Sequence, residues 1–460
     1  MENETYTSLG EERIGKLIIQ MSVPSSIGIL SYNLYNIIDT IYISKGIGAY
    51  AAGGLAVTFP LFLLLSALSS TVGSGAASVI SRAFGRRELE KASYVAANVF
   101  GLFWITAILI TVAGLIFLDP MLYAMGVTDK LMPYAKAYIR IILLGAVTST
   151  GFSSLIRAEG NSRYAMYIWV IPVAVNIILD PVFIFALQLG VEGAAIATVL
   201  SQCTSFVMSI YFFFLSGKSQ LRIRIHHFYP KINIIKEVLS IGFPTFLQMA
   251  GGSLIILLLN NILKRQGGDI AISSYGVVNK ISSFLLIPVQ GIVQGIQPII
   301  GYNYGAGLLL RVRDALKTAS FIAGCYGILL SMLLLVFSKG IMYVFSSDPR
   351  VIAMGGSILI ITNLGLVFNS VYMIHTAYFQ SVGNVKISLF LCFCNYILCF
   401  APVIILLSTL YGLKGVWFSF PIAAIISLGV SSAYILYSRK DKANERNGIT
   451  RADCKAGSKK

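Results

Sequence analysis

Twelve apolar runs, each of about 20 residues or more, succeed one another along a chain of 460 residues. A hydrocarbon core about 30 Å thick is crossed by about 20 helical residues, so every run is long enough to span a membrane. Their limits lie near 18–44, 54–80, 93–118, 134–158, 164–187, 192–215, 236–263, 272–300, 316–338, 355–380, 386–410 and 414–437. Lipid offers no hydrogen bonds to backbone N–H and C=O groups, and runs of this length satisfy their own only as helices. The expected fold is therefore an all-α integral membrane protein of twelve transmembrane helices. Composition agrees: 12% of the residues are charged, where a soluble domain carries about 25%.

The connections leave no room for a soluble catalytic or ligand-binding domain. The longest is "SGKSQLRIRIHHFYPKINIIKE", from Ser216 to Glu237, and the rest are short turns. The acidic start "MENETYTSLGEERIGK" precedes a run too long for the core of a cleaved signal, so the first span is expected to stay. Most of the 35 Lys and Arg fall on the side that carries the N-terminus. This positive-inside bias puts both termini in the cytoplasm of a multi-pass protein of the inner (plasma) membrane. The net charge of +16 thus reflects orientation in a lipid bilayer and gives no reason to expect a nucleic-acid partner.

The tail 438–460 is polar enough to predict disorder, with attraction to anionic lipid as a secondary role. Of the six cysteines, 203, 325, 392, 394 and 399 lie in apolar spans and 454 in the tail, without metal-type spacing, and are read as reduced thiols.

A weak repeat runs through the chain at a spacing near 220. "SVPSSIGIL" at 22 recurs as "IGFPTFLQM" at 241, aligning Pro24 with Pro244, and Gly75 and Gly85 fall on Gly295 and Gly305. "RAEGNSRYAM" (157–166) is echoed by "FQSVGNVKIS" (379–388), and "GVEGAA" at 190 by "GLKGVW" at 412. Six spans per half is an even number, so the halves run in the same direction and are related by a pseudo-two-fold axis along the membrane normal. A substrate cavity is expected between them at mid-depth. The resulting division is an N-lobe over 1–215, a cytoplasmic linker over 216–235, a C-lobe over 236–437 and the tail.

Two aspartates interrupt the apolar pattern, although an acid at the centre of a span costs about 2.5 to 3.5 kcal/mol. In span 1, Tyr32, Tyr35, Asn36 and Asp39 share one helical stripe. In span 5, Asn176 and Asp180 are an i, i+4 pair, and span 6 adds Thr198, Ser201, Gln202 and Ser205. The repeat places Asn395 opposite Asn176, but Cys399 where Asp180 stands and Leu259 where Asp39 stands, so the acids belong to the first half alone. Paired carboxylates with amide and hydroxyl oxygens suit either a titrating proton or a hard monovalent cation such as Na+ at Asp39, Asn176, Asp180 and Thr198.

Asn36, Gln202, Gln290, Gln294 and His375 are further cavity-lining candidates, with Gln297 on the same face of span 8 as the two earlier glutamines. His226 and His227, in the basic linker, are read as solvated in preference to metal-binding. No phosphate loop and no nucleophile–base constellation is present, so no enzyme activity is expected. Pro24, Pro172, Pro181, Pro244, Pro288 and Pro402 each permit a bend.

Taken together, "NIIDTIYIS", "SRAFGRRE", "RAEGNSRYAM", "NIILDPVFIFALQLGVEGAAIATVLSQ", "YNYGAG" and "GNVK" resemble the multidrug and toxic compound extrusion (MATE) family over essentially all twelve spans. Within it the chain is most similar to the DinF-like and MepA-like bacterial branch. That resemblance implies an ion-linked cluster of Tyr35, Asp39, Asn176, Asp180 and Thr198. It further implies secondary active export of organic, commonly cationic or amphipathic compounds against H+ or Na+. No cofactor beyond the coupling ion is expected, and the expected state is a monomer. The NorM-like branch has acids in spans 7 and 10, which are absent here. A lipid-linked sugar flippase of the same superfamily is the alternative, but it calls for cavity-lining cations that these spans lack.

Overall fold

In a computed structural model of the chain, residues 4–148 and 151–457 are described, with side chains for 8–48, 50–148 and 151–438. The helices of the first half are α1 (Glu4–Glu11), α2 (Ile14–Gly46), α3 (Ala49–Gly85), α4 (Leu89–Ile116), α5 (Leu118–Ala124), α6 (Met132–Gly145), α7 (Phe152–Ala158), α8 (Ser162–Pro181) and α9 (Gly190–Ile210). Those of the second are α10 (Ile232–Gln266), α11 (Gly268–Leu285), α12 (Ile287–Gly305), α13 (Leu309–Phe345), α14 (Pro349–Asn363), α15 (Leu366–Ser381), α16 (Val385–Phe393) and α17 (Ala401–Gly457). No strand occurs among the described residues.

The expected all-α membrane architecture is present. Ten helical segments are apolar and long enough to cross a bilayer, and α14 with α15 forms an eleventh bent by 46°. The last of the ten, Val385–Ser438, has 54 residues, about twice what one crossing needs. It breaks at Gly412 (φ 57°, ψ −141°), where two helices join across a kink, so its length accommodates two crossings and the described residues accommodate twelve. Beyond it the backbone of α17 is helical to Gly457, where composition alone predicts disorder; the side chains of the tail, Cys454 among them, lie outside the described residues.

The repeat is visible in the backbone. Gly190 and Gly412, which open the paired motifs "GVEGAA" and "GLKGVW", share a φ of 57°, which only glycine adopts without strain. Arg87 (φ 61°) and Gly307 (φ 74°) are 220 residues apart and form the same left-handed turn after α3 and α12.

Packing divides the chain into two compact units. The first comprises Met1–Ala250, Phe284–Ala319 and Gln380–Val385; the second comprises Gly251–Ser283, Ser320–Phe379 and Lys386–Lys460. These units cut through α10 and α13 and so differ from the sequence halves. In the first, Ala76, Ala83, Ala92 and Ala96 let α3 and α4 approach closely, and Phe100 and Phe152 stack at 4.2 Å between ring centres. The other face of α4 bears Ile105, Ile108, Leu109, Val112 and Ile116, all exposed at helical spacing toward lipid. A second apolar cluster of Ile43, Leu122, Ala135, Ile139, Leu143, Ala194 and Ala195 ties α2, α6 and α9 together beneath the site described below.

The 216–237 connection is clamped by two buried side chains and forms no domain. Asn98 donates to the carbonyls of His227 (3.0 Å) and Tyr229 (3.3 Å) and accepts from the Lys231 amide at 2.7 Å. Glu159, 2% exposed, accepts from the Gln220 amide at 2.7 Å and the Ser219 hydroxyl at 2.8 Å. In the second unit, Asn395 accepts from Ser427 at 2.7 Å, Ser282 meets Asn363, and the Cys394 and Cys399 sulfurs stand 3.6 Å apart as free thiols.

Candidate ion-coupling site

Four helices of the first unit bring polar side chains to one point. Asp39 comes from α2, Asn176 and Asp180 from α8, Thr198 from α9 and Tyr138 from α6. The i, i+4 spacing of Asn176 and Asp180 puts both on one face of α8, where the Asn176 amide donates to Asp180 Oδ1 at 3.2 Å. Both are 0% exposed, and Asp39 is 7% exposed. Pro181 follows Asp180, ends α8 and leaves the Ile177 carbonyl without its helical donor; a widened π-type turn, Val182–Ala186, carries the chain onward.

The carboxyl groups of Asp39 and Asp180 lie within hydrogen-bond reach of each other. Tyr35 shares a hydrogen bond with the Thr198 hydroxyl at 3.0 Å, and Tyr138, itself buried, reaches the same hydroxyl. The Thr198 carbonyl in turn accepts from Ser201 at 2.7 Å. All five residues of the expected cluster are thus assembled. Tyr138 is an addition that sequence reading misses: span 4 carries no acid, and Tyr134 and Tyr138, spaced i, i+4 near the start of that span, read as ordinary span-end aromatics.

Three buried oxygens remain without a hydrogen-bond partner: Asp39 Oδ1, Asn176 Oδ1 and Asp180 Oδ2. All are acceptors. A buried acceptor left unpaired costs about 1 to 3 kcal/mol, more when charged, so these three form a site suited to a hydrogen-bond donor or a positive partner. Oxygen donors of this kind fit a proton or a hard cation, and they would repel an anion.

The other candidates divide. On α2, Asn36 is half-buried and donates to the Tyr32 carbonyl of its own helix at 2.8 Å, and Tyr32 packs edge-on against Trp169 at 5.1 Å. Gln202, Gln290 and Gln294 are half-buried on α9 and α12. Gln297 is taken up by packing, donating to the Ser74 carbonyl at 3.1 Å. His375 belongs to the second unit, where its Nδ1 shares a hydrogen bond with Ser431 at 3.0 Å.

Glu90, His226 and His227 place potential ligand atoms within 4.8 Å of one another. The arrangement favours a packed loop over a metal centre. His227 Nδ1 accepts from the Arg224 amide at 3.0 Å, which leaves the ring proton of the neutral imidazole on Nε2, and a protonated nitrogen is no ligand. Lys231 adds a cation 3.2 Å above the Tyr94 ring that both imidazoles pack against.

The MatE family model matches residues 24–182 and 244–406, two segments whose starts are separated by the repeat spacing. The chain belongs to the MatE family. Curated MatE relatives include "Multidrug export protein MepA" of Staphylococcus haemolyticus, 27% identical over 450 residues and covering 96% of this chain and 97% of that one. The protein of the same name from Staphylococcus aureus strain MRSA252 is 26% identical, covering 96% and 98%. Among solved structures, an outward-facing multidrug resistance MATE family transporter of the MOP superfamily superposes with a TM-score of 0.89 at 26% identity, covering 96% of this chain and 99% of that one. A MATE structure in a bent conformation gives a TM-score of 0.90, again at 26% identity, with 96% and 100% covered. The fold is therefore that of the MATE transporters, as the sequence motifs imply.

Proposed function

We propose that this chain is a multidrug efflux transporter that exports organic, largely cationic or amphipathic compounds by antiport against H+ or Na+. The observation that carries the reading is the trio of unpaired buried oxygens on Asp39, Asn176 and Asp180. Two carboxylates in contact repel unless a positive charge joins them, so occupancy by a proton or Na+ changes the net charge of the cluster. Asp39, Asn176, Asp180 and Thr198 would hold Na+ through oxygen atoms, with Tyr35 and Tyr138 orienting the Thr198 hydroxyl. The Pro181 break beside Asp180 gives α8 a place to bend when that charge changes. Substrate binding then competes with the ion, and each binds best in a different access state.

In this reading the lobes 1–215 and 236–437 move about the 216–235 linker, with both termini in the cytoplasm of a monomer in the plasma membrane. Asn36, Gln202, Gln290, Gln294 and His375 are proposed to line the path. The multidrug export named in the MepA relatives supports the activity.

The test is efflux of ethidium- and quaternary-ammonium-type compounds from cells expressing the chain, followed by purified vesicles under separately imposed proton and sodium gradients. Faster efflux under one gradient is expected and identifies the ion. Unchanged susceptibility to the whole panel, with rescue of a lipid-linked sugar flipping defect, would replace export by flipping.

A further inference from the structure

The second-half motif "FQSVGNVKIS" contains a residue that the ion site does not use. Gln380, at the end of α15, belongs to the first packing unit with α3, α10 and α12. Its amide donates to the Ile241 carbonyl at 3.0 Å and the Thr245 hydroxyl at 2.9 Å, both on α10, and to the Ser74 hydroxyl on α3 at 3.3 Å. Its main-chain carbonyl accepts from Ser78 of α3 at 2.8 Å. Ser74, one turn back on α3, shares a hydrogen bond with Thr245 at 2.9 Å. One glutamine therefore bridges a first-half helix to a second-half helix while lying on a third.

Backbone contacts beside this bridge follow the sequence repeat. A Cβ on Gly85 would run into the Tyr302 carbonyl, and one on Gly305 into the Arg82 carbonyl, where Tyr302 is Arg82 displaced by 220. Likewise Gly75 meets the Gly242 amide, and Gly295 meets the Ser22 amide, its equivalent in the first half. Symmetric glycines let α3 and α12, and then α3 with α10 and α2 with α12, touch backbone to backbone. At the helix ends Arg82 and Glu237 close the contact with an ion pair of 3.2 Å.

We propose that Gln380 is a positioning residue for transport: its amide bridge holds this end of the first- and second-half helices shut in one access state and lets go in the other. The inference rests on the export reading above and assigns a place where access to its site is controlled. Neutral interhelical hydrogen bonds are individually weak, and the Arg82–Glu237 pair beside them keeps its carboxylate 35% exposed to solvent, so the contact can release and re-form. The glycines bring the backbones close enough for the short Ser and Thr hydroxyls to reach across.

The test uses the full chain in vesicles, with the six native cysteines replaced by serine and the Ser74→Cys/Thr245→Cys pair added. Oxidation is expected to cross-link the pair and lower dye export at least 10-fold, with recovery on reduction. Cross-linked protein that exports at the reduced rate would overturn the proposal. Reduced protein that exports no dye at all counts against the export reading instead, and the gate is then judged without substrate. Ser78→Cys, 0% exposed at its native serine, is expected to react at least 10-fold faster with a membrane-impermeant maleimide when Gln380→Met removes the amide. Gln380→Asn is expected to restore part of the protection. Equal reactivity in the three backgrounds, at matched melting temperature, would show that Gln380 only packs.

Discussion

The carboxyl groups of Asp39 and Asp180 meet within hydrogen-bond reach although they sit on separate helices, α2 and α8. Each also keeps one buried oxygen with no donor. A structural pair would have recruited donors for both, since neighbouring helices carry many hydroxyls. Asp180→Asn leaves the Asn176 contact possible and removes only the titrating charge. Gradient-driven efflux in vesicles is expected to fall roughly 5- to 150-fold, the span of coupling free energies of about 1 to 3 kcal/mol. Expression and melting temperature stay near wild type. Asp39→Asn is expected to act in the same direction, with a smaller loss because Asp180 retains Asn176. Wild-type rates in both variants would move coupling elsewhere.

Tyr138 supplies a second, finer test. Its hydroxyl and that of Tyr35 converge on Thr198. Tyr138→Phe removes one of the two holds on that hydroxyl, an interaction worth about 0.5 to 1.5 kcal/mol. The expected result is a roughly 2- to 10-fold rise in the ion concentration giving half-maximal export, with the maximal rate little changed. A fall in maximal rate at unchanged ion dependence would mean that Tyr138 lines the substrate path instead.

What the sequence makes legible follows from which forces are local. Span length and apolarity are imposed by the bilayer, so twelve crossings can be counted from the residues, and Gly190 and Gly412 mark the same turn in each half. The stripe Tyr35–Asn36–Asp39 and the pair Asn176–Asp180 can be read because helical periodicity puts each set on one face. Their meeting across α2 and α8 depends on tertiary packing, as does the recruitment of Tyr138, and neither has a periodic signature. Asn98 and Glu159 likewise read as ordinary span-end polar residues until the linker folds over them. The fate of the three glutamines on α12 is decided by which neighbour stands opposite: Gln297 finds the Ser74 carbonyl and is spent on packing.

Orientation is testable on its own. The charge bias predicts that the Gly217–Arg224 stretch faces the cytoplasm and the turn from Lys264 to Asp269 faces outside. Single cysteines placed in each are expected to react with an impermeant thiol reagent from opposite sides of intact cells and inverted vesicles. Labelling of both from the same side would remove the even-span count that makes the two halves parallel.

Glu159 carries the last prediction, and it concerns the linker. Burial pushes its carboxyl up from an ordinary value of 4.5 to about 8, against the opposing pull of the Gln220 amide and the Ser219 hydroxyl. The protonated form therefore suits the folded loop better than the ionised one. A raised folded value means that this contribution to docking is complete below about pH 4.5 and is lost as pH rises toward 8. Protection of the 216–231 amides against hydrogen exchange, corrected for the intrinsic rate, is expected to decline across that window. Glu159→Gln keeps a hydrogen-bonding side chain and cannot ionise, so its profile should be flat where the wild type slopes. Parallel slopes in the two proteins would assign the pH response to other groups, and a flat wild type would mean that the two donors, the Gln220 amide and the Ser219 hydroxyl, compensate the buried charge in full.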